Sequence, residues 1–372
     1  MSKAADLANL IGNINAGGGG VNRNLIINGK MAVSQRSTSA TGKTTGSYYT
    51  IDRFRTDHTG FTGTYTQSTD VPSGYGFSNS YKIENTSAAS SNGGTLRLDQ
   101  RIEAQNLRNS GWDYTNSSSS LSYNFWAKSS VAGTYFVGFR TDDGTSRQFT
   151  KAFTLSANTW TNVSFPIFGD SNLTFNNDNG HGCLLAIHID EATGQSDSGH
   201  TLDGWQNYNS NSRTPDFTQK WTETANATFL TTGWQLEVGQ NPTEFEHEPY
   251  ETTLRKCQRY LLRYPNDGGT NGGYTRYGIS YSISSTETEV AIYPPVHMRV
   301  DPSLTHGGNA NSYYIWHANS DTALTSMSVE GGSTMEYIVV NAIASSGFSA
   351  GRAGSLNAYN NSTNFLQFDA EL

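Results

Sequence analysis

Few residue constellations in this chain have the types and spacing that catalysis demands. Gly347, Phe348, Ser349, Ala350 and Gly351 match the Gly-x-Ser-x-Gly spacing of a nucleophile elbow and follow an apolar stretch. That chemistry needs a helix directly afterwards and a histidine further along. The chain ends at Leu372 and its last histidine is His317, so the segment reads as a glycine-rich loop. His181, Cys183, His188 and Asp190 are close enough to raise zinc. On a strand, however, Cys183 faces with Leu185 and Ile187, opposite His188 and Asp190, and opposite faces cannot share a tetrahedral site. Residues 168–182 offer Asp170, Asn172, Asn176 and Asp178 as hard oxygen ligands that suit calcium, although such clusters mostly build turns. A structural calcium is the only ion the sequence leaves room for, and no cofactor is expected. Asp99 and Glu103 form a carboxylate pair, but glycosidic cleavage needs two acids about 5–10 Å apart across a cleft, and no cleft is legible.

The better signal is for binding. The segment HTLDGWQNYNSNSR gathers Asp203, Trp205, Gln206, Asn207, Tyr208 and Arg213. Trp112, Asp113 and Tyr114 form a smaller cluster, and Tyr313, Tyr314, Trp316 and His317 a third. Aromatic faces suit the C–H surfaces of sugars, and amides and acids suit their hydroxyls. The candidate glycan-binding residues are therefore Trp112, Asp203, Trp205, Tyr208, Tyr313, Tyr314 and Trp316. Taken singly, each aromatic is better explained as core or subunit interface.

The elements that must position these residues are strands. Charged residues make up 15% of the 372 and aromatics 12%, with Gly, Ser, Thr and Asn abundant; disordered chains show the reverse, high charge and few aromatics. NFWAK, TYFVGFR, TNVSFPIF, CLLAIHI and GWQLEVG alternate at period two, so that Tyr123 with Phe125, then Tyr135, Val137 and Phe139, then Val163, Phe165 and Ile167 make buried faces. Turn-separated strands without intervening helices predict an all-β fold, a jelly-roll sandwich over residues 23–250. Residues 251–265 are predicted as a linking helix, with Leu254, Cys257, Leu261 and Tyr264 on one face. A second, smaller β domain is expected over 266–372, after the glycine-rich run 266–273. At the other end, Leu7, Leu10, Ile11 and Ile14 make one stripe of a short helix within residues 1–22, too short to stand alone in water, so it is expected to dock as an anchor.

A net charge of −8 gives no basic field for nucleic acid. No apolar run is long enough to span a membrane, and the first residues lack a signal peptide's apolar core, so synthesis in a cytoplasm without export by that route is expected. Cys183 and Cys257 read as free thiols.

Several stretches together resemble a family of tailed-bacteriophage tail-fibre and appendage proteins: NLIINGKMAVSQRS followed by YYTIDRF, QRIEAQNL, GWQLEVGQNPTEFEHEPYETTLRKCQRYLLRY, and AIYPPVHMRVDPSLT with the closing FDAEL. They occur in order from about residue 24 to the C-terminus. The resemblance implies a virion-attached, homotrimeric protein with a carbohydrate-binding-like jelly roll, a C-terminal β domain and no catalytic residues. The expected partners are further copies of the chain, other phage structural proteins through the N-terminus, and a host cell-surface polysaccharide. The alternatives are a purely structural capsid or tail decoration protein and a polysaccharide-degrading tailspike.

Overall fold

The structure, a computed structural model, describes residues 22–372 except 92, 267–273, 318, 360 and 362. The proposed anchor residues Leu7, Leu10, Ile11 and Ile14, and the glycine run over 267–273, lie outside the described residues. Contacts divide the chain into two compact units, one running to Thr253 and the other spanning Leu254–Glu371.

The first unit is a two-sheet sandwich. Its strands are β1 (Ser39–Lys43), β2 (Arg55–Thr59), β3 (Thr62–Ser68), β4 (Ser80–Ser87), β5 (Thr95–Glu103), β6 (Ser120–Ser129), β7 (Gly133–Thr141), β8 (Arg147–Leu155), β9 (Thr161–Phe168), β10 (His181–Asp190), β11 (Trp205–Asn207) and β12 (Thr228–Val238). One sheet has the order β1-β3-β4-β12-β6-β9, the other β11-β8-β7-β10-β5-β2. From β4 to β7 each strand lies in the sheet opposite its predecessor, the crossing that makes a jelly roll rather than a meander. A single-turn helix, α1 (Ala104–Arg108), follows β5.

Alternation decides which side chains fill the space between sheets. Leu121, Tyr123 and Phe125 of β6 stand opposite Ile167, Phe165 and Val163 of β9, and all six are buried. From the facing sheet come Tyr135, Val137 and Phe139, as the sequence pattern predicts. Trp234 ties the interior together, edge-on to Phe54 at 5.0 Å and to Tyr123 at 5.7 Å.

Several residues of the motif-bearing segments hold the fold together. Buried Asn28, held at φ 63°, donates through Nδ2 to the carbonyls of Val33 (2.9 Å) and Asp52 (3.1 Å) and accepts from Val33 N at 3.0 Å. Asp52 accepts from Gln35 through both carboxylate oxygens, and buried Arg53 donates to the Arg101 carbonyl. Glu237 receives Arg23 at 3.1 Å together with Gln235 and Thr243. Glu246 accepts the backbone N–H groups of Asn22 and Asn24. These residues pin the chain ends of the sandwich.

The linking helix is shorter than predicted. Helix α2 covers Tyr250–Gln258, and Leu261 and Tyr264 belong instead to β13 (Leu261–Pro265), paired antiparallel with β22 (Phe365–Asp369). Leu261 and Leu262 are both buried, so a strand with two filled faces wins over the helical spacing; tertiary pairing overrides local preference. Cys257 is buried on α2, and neither it nor buried Cys183 is in a disulfide.

The second unit holds β13, β14 (Tyr274–Ser282), β15 (Glu287–Ile292), β16 (Ser303–His306), β17 (Tyr313–His317), β18 (Ser320–Ala323), β19 (Ser326–Val329), β20 (Ile338–Ile343), β21 (Ala353–Tyr359) and β22. A three-stranded sheet, β13-β22-β16, and a seven-stranded sheet, β18-β17-β21-β14-β15-β20-β19, share a core that includes Val290, Ile315, Val340, Leu356 and Phe368. Residues 347–351 form a loop leading into β21, with Gly347 and Gly351 at positive φ, as the sequence reading requires. No helix among the described residues is long and apolar enough to cross a membrane.

Acid should loosen the sandwich before it protonates ordinary carboxylates. Burial lowers the pKa of His58, His188 and His200, and takes His181 down to about 4. Each is neutral when folded, whereas an unfolded histidine takes its proton near 6.5. Their contribution to stability is complete above that value and is lost as pH falls towards 4. The unfolding temperature is expected to drop steadily from pH 7 to pH 4.5, and His181→Gln to shallow that slope.

Candidate functional site

The outer face of the β4-β12-β6-β9 side of the sandwich carries a cavity of about 520 Å³. Its floor follows from strand alternation. Tyr123 and Phe125 point inward, so Asn124 and Trp126 of β6 point out, and Asn162 of β9 stands opposite Trp126. Two loops wall it. The segment before β4 contributes Tyr75 and Phe77, and the segment after β12 contributes Glu244, Phe245 and His247. Gly76 sits at φ 75°, and a Cβ there would lie 3.2 Å from the His247 ring, so only glycine lets the first loop close down. Gly233, at φ 68° in the β12 bulge, meets Phe77 and Trp126 in the same way.

The rings meet one another at angles and not face to face. Tyr75 lies 4.4 Å from Trp126, tilted by 49°, and Phe77, Phe245 and His247 form a triangle with centroids 5.0–5.4 Å apart. His247 Nε2 bonds the Tyr75 carbonyl at 3.1 Å, tying the two loops together. Asn162 Nδ2 donates to Asn124 Oδ1 at 2.8 Å. Among the described residues no side chain takes Asn162 Oδ1 or Asn124 Nδ2 as partner, which leaves one acceptor and one donor side by side at the floor. A sugar hydroxyl, donor and acceptor at once, matches that pair. Lys128, Asp70 and Trp160 flank the site. Lys128 pairs with Asp70 and lies 5.2 Å from the Trp160 ring, and Trp160 Nε1 donates to Asp70 at 3.0 Å. Burial pushes the Asp70 carboxyl up, but these two hydrogen bonds hold it below its usual value.

The residues singled out from sequence are placed differently. Trp112 is in the core, its ring 6.1–6.4 Å from those of Tyr114, Phe139 and Phe175. Tyr313 is fully buried and its hydroxyl donates to the carbonyls of Gly307 and Phe365. Tyr314 is buried and stacked on Tyr359 at 4.4 Å, while Trp316 is partly exposed beside Arg276. Period two puts Tyr313 on the opposite face from Tyr314 and Trp316, so these three do not converge. Trp205 rests on Phe139 and Phe149 and donates to the Phe168 carbonyl. Asp203 is held by Lys151 at 2.6 Å.

Tyr208 and Arg213 do reach a polar cluster, on the outer face of β5, β10, β7 and β8. The cluster includes Arg97, Arg140, Gln148 and His188 around a void of about 20 Å³, room for about one water. Its charges are closed among themselves: Arg97 with Asp57 (3.2 Å) and Asp99 (3.3 Å), Arg213 with Asp57 (3.4 Å) and Glu191 (3.6 Å). Asp99 and Glu103 are fully buried. In the loop whose oxygens would suit calcium, Asp170 accepts from Asn172, Asn176 donates to Asp143 and Asp178 accepts from Gly180. No group of three His, Cys, Asp or Glu among the described residues is placed to hold a metal.

No family model matches the sequence, and no curated protein matches it. Solved structures do align with the fold. The family 11 carbohydrate-binding module from Clostridium thermocellum, in complex with a β-1,3-1,4-mixed-linked tetrasaccharide, is 9% identical and spans 55% of this chain and 100% of its own, with a TM-score of 0.27. A family 16 carbohydrate-binding module is 11% identical over 48% of this chain and 86% of its own (TM-score 0.25). The family 30 module of a cellulosomal cellulase of Clostridium thermocellum is 11% identical over 57% and 95% (TM-score 0.27).

Proposed function

We propose that this chain is a non-catalytic glycan-binding protein, acting as the adhesin of a phage virion appendage that holds a host-surface polysaccharide. The observation that carries the binding reading is the 520 Å³ cavity with Tyr75 and Trp126 on its wall and the Asn124–Asn162 amide pair at its floor. Its size suits a short stretch of sugar chain, and its lining offers ring faces and neutral hydrogen-bonding groups. The case against cleavage is that Glu244 is the sole carboxylate among the described residues that line it, whereas glycosidic hydrolysis ordinarily uses two. The virion setting and the homotrimer rest on the motif resemblance, which runs through most of the chain, and the N-terminal anchor rests on the apolar stripe of Leu7, Leu10, Ile11 and Ile14.

Purified chain incubated with a panel of bacterial surface polysaccharides is expected to be retained by the host's polymer without releasing reducing ends. New reducing ends would make it a depolymerase. Retention by none, together with antibody labelling of the virion, would leave it a structural decoration protein.

A further inference from the structure

A second group of rings stands on the outer face of the seven-stranded sheet in the other unit. Tyr313 and Ile315 of β17 fill the core, so Tyr314 and Trp316 face outward. Neighbouring strands add to the same face. Tyr359 of β21 stacks on Tyr314 at 4.4 Å and is in register with Tyr274 of β14. Arg276, further along β14, lies 5.4 Å from the Tyr274 ring and 5.6 Å from the Trp316 ring. Asp321 of β18 stands opposite Trp316. Tyr314 is the buried base of the group, whereas Tyr274, Trp316 and Tyr359 are 40–47% exposed.

The polar atoms of this group are uncommitted. Among the described residues Arg276 has no carboxylate partner, and its side chain donates only to the Tyr274 hydroxyl, at 3.4 Å. No group among them bonds the Asp321 carboxylate or the hydroxyls of Tyr314 and Tyr359. Burial first, and then Asp321, push the Tyr314 hydroxyl up to about 12, so at neutral pH it remains a donor. Rings edged by a cation, an acid and phenolic hydroxyls match both the C–H face and the hydroxyls of a sugar. The exposed carboxylate weighs against a polyanion, and the two charges weigh against burial in lipid. We propose that this face is a second sugar-binding site, in which Trp316 and Tyr274 meet the ring of a polysaccharide unit and Arg276 and Asp321 hold its hydroxyls. The site rests on the glycan-binding reading of the chain but not on the cavity of the first unit.

Calorimetric titration of the full chain with a fragment of the polysaccharide it retains tests this. The wild type is expected to take the fragment at two independent sites per chain. Trp316→Ala should weaken one of them about fivefold, the worth of one stacked ring, and leave melting unchanged because the ring lies outside the core. Trp126→Ala should leave that site as it is. Arg276→Gln and Asp321→Asn keep the rings and should each weaken the same site. A single site that responds to Trp126→Ala and not to Trp316→Ala overturns the proposal while keeping the cavity. If Trp316→Ala fails to fold, Arg276→Gln decides, and unchanged binding in that variant overturns the proposal. Binding abolished by high salt and by Arg276→Gln but kept in Trp316→Ala would make the face a polyanion contact and equally overturn it. Retention of no polysaccharide removes the glycan reading itself, and this site with it.

Discussion

Replacing Trp126 with alanine is expected to weaken polysaccharide binding about fivefold, and the Trp126→Ala, Tyr75→Ala pair about thirtyfold. Each ring contributes roughly 1 kcal/mol or more through stacking, and about 1.4 kcal/mol is a factor of ten. Trp126 points away from the core on β6 while Phe125 and Ala127 fill it, so melting should change little. Trp126→Phe retains a ring face and should recover part of the affinity. The control is Tyr208→Ala, which removes an aromatic from the opposite sheet, where the void is too small for a sugar ring. Isothermal titration with a purified polysaccharide fragment separates the cases. Full affinity in Trp126→Ala with loss in Tyr208→Ala would move the site to the Asp203–Arg213 segment.

The strands and the two-domain β class were legible because their signal is local: alternation in NFWAK and TNVSFPIF names the inward face directly. The same alternation already placed Trp126 outward, so one wall of the cavity could be read from a tryptophan in the polar phase of a strand. The rest could not. Tyr75, Phe245 and His247 come from loops far apart in sequence, and what joins them is the Gly76 and Gly233 backbone and the His247 bond to Tyr75. Clustering of aromatics along the chain misled for the same reason. Trp112 and Tyr313 sit among polar residues in sequence but face cores in space. The helix over-run past Gln258 shows the converse limit. Leu261 and Tyr264 keep helical spacing, but only the distant partner strand Phe365–Asp369 decides their state.

Asn28→Ala is expected to destabilise the first unit by about 3–4 kcal/mol. Three hydrogen bonds disappear, each worth about 1 kcal/mol, and alanine takes up the left-handed backbone at a further cost of about 1 kcal/mol. The carbonyls of Val33 and Asp52 and the Val33 N–H lose their Asn28 partner inside the corner that pins the N-terminal segment. Asn28→Gly loses the same bonds without the backbone penalty, so it should be about 1 kcal/mol more stable than the alanine variant. Asn28→Asp keeps the acceptor and tolerates the conformation, yet turns an oxygen towards two carbonyl oxygens, so it should not rescue. Urea unfolding followed by tryptophan fluorescence reads this unit selectively, because of the seven tryptophans only Trp316 lies beyond Thr253. A midpoint within experimental scatter of wild type for Asn28→Ala would show that the Asn28 side chain does not pin this corner.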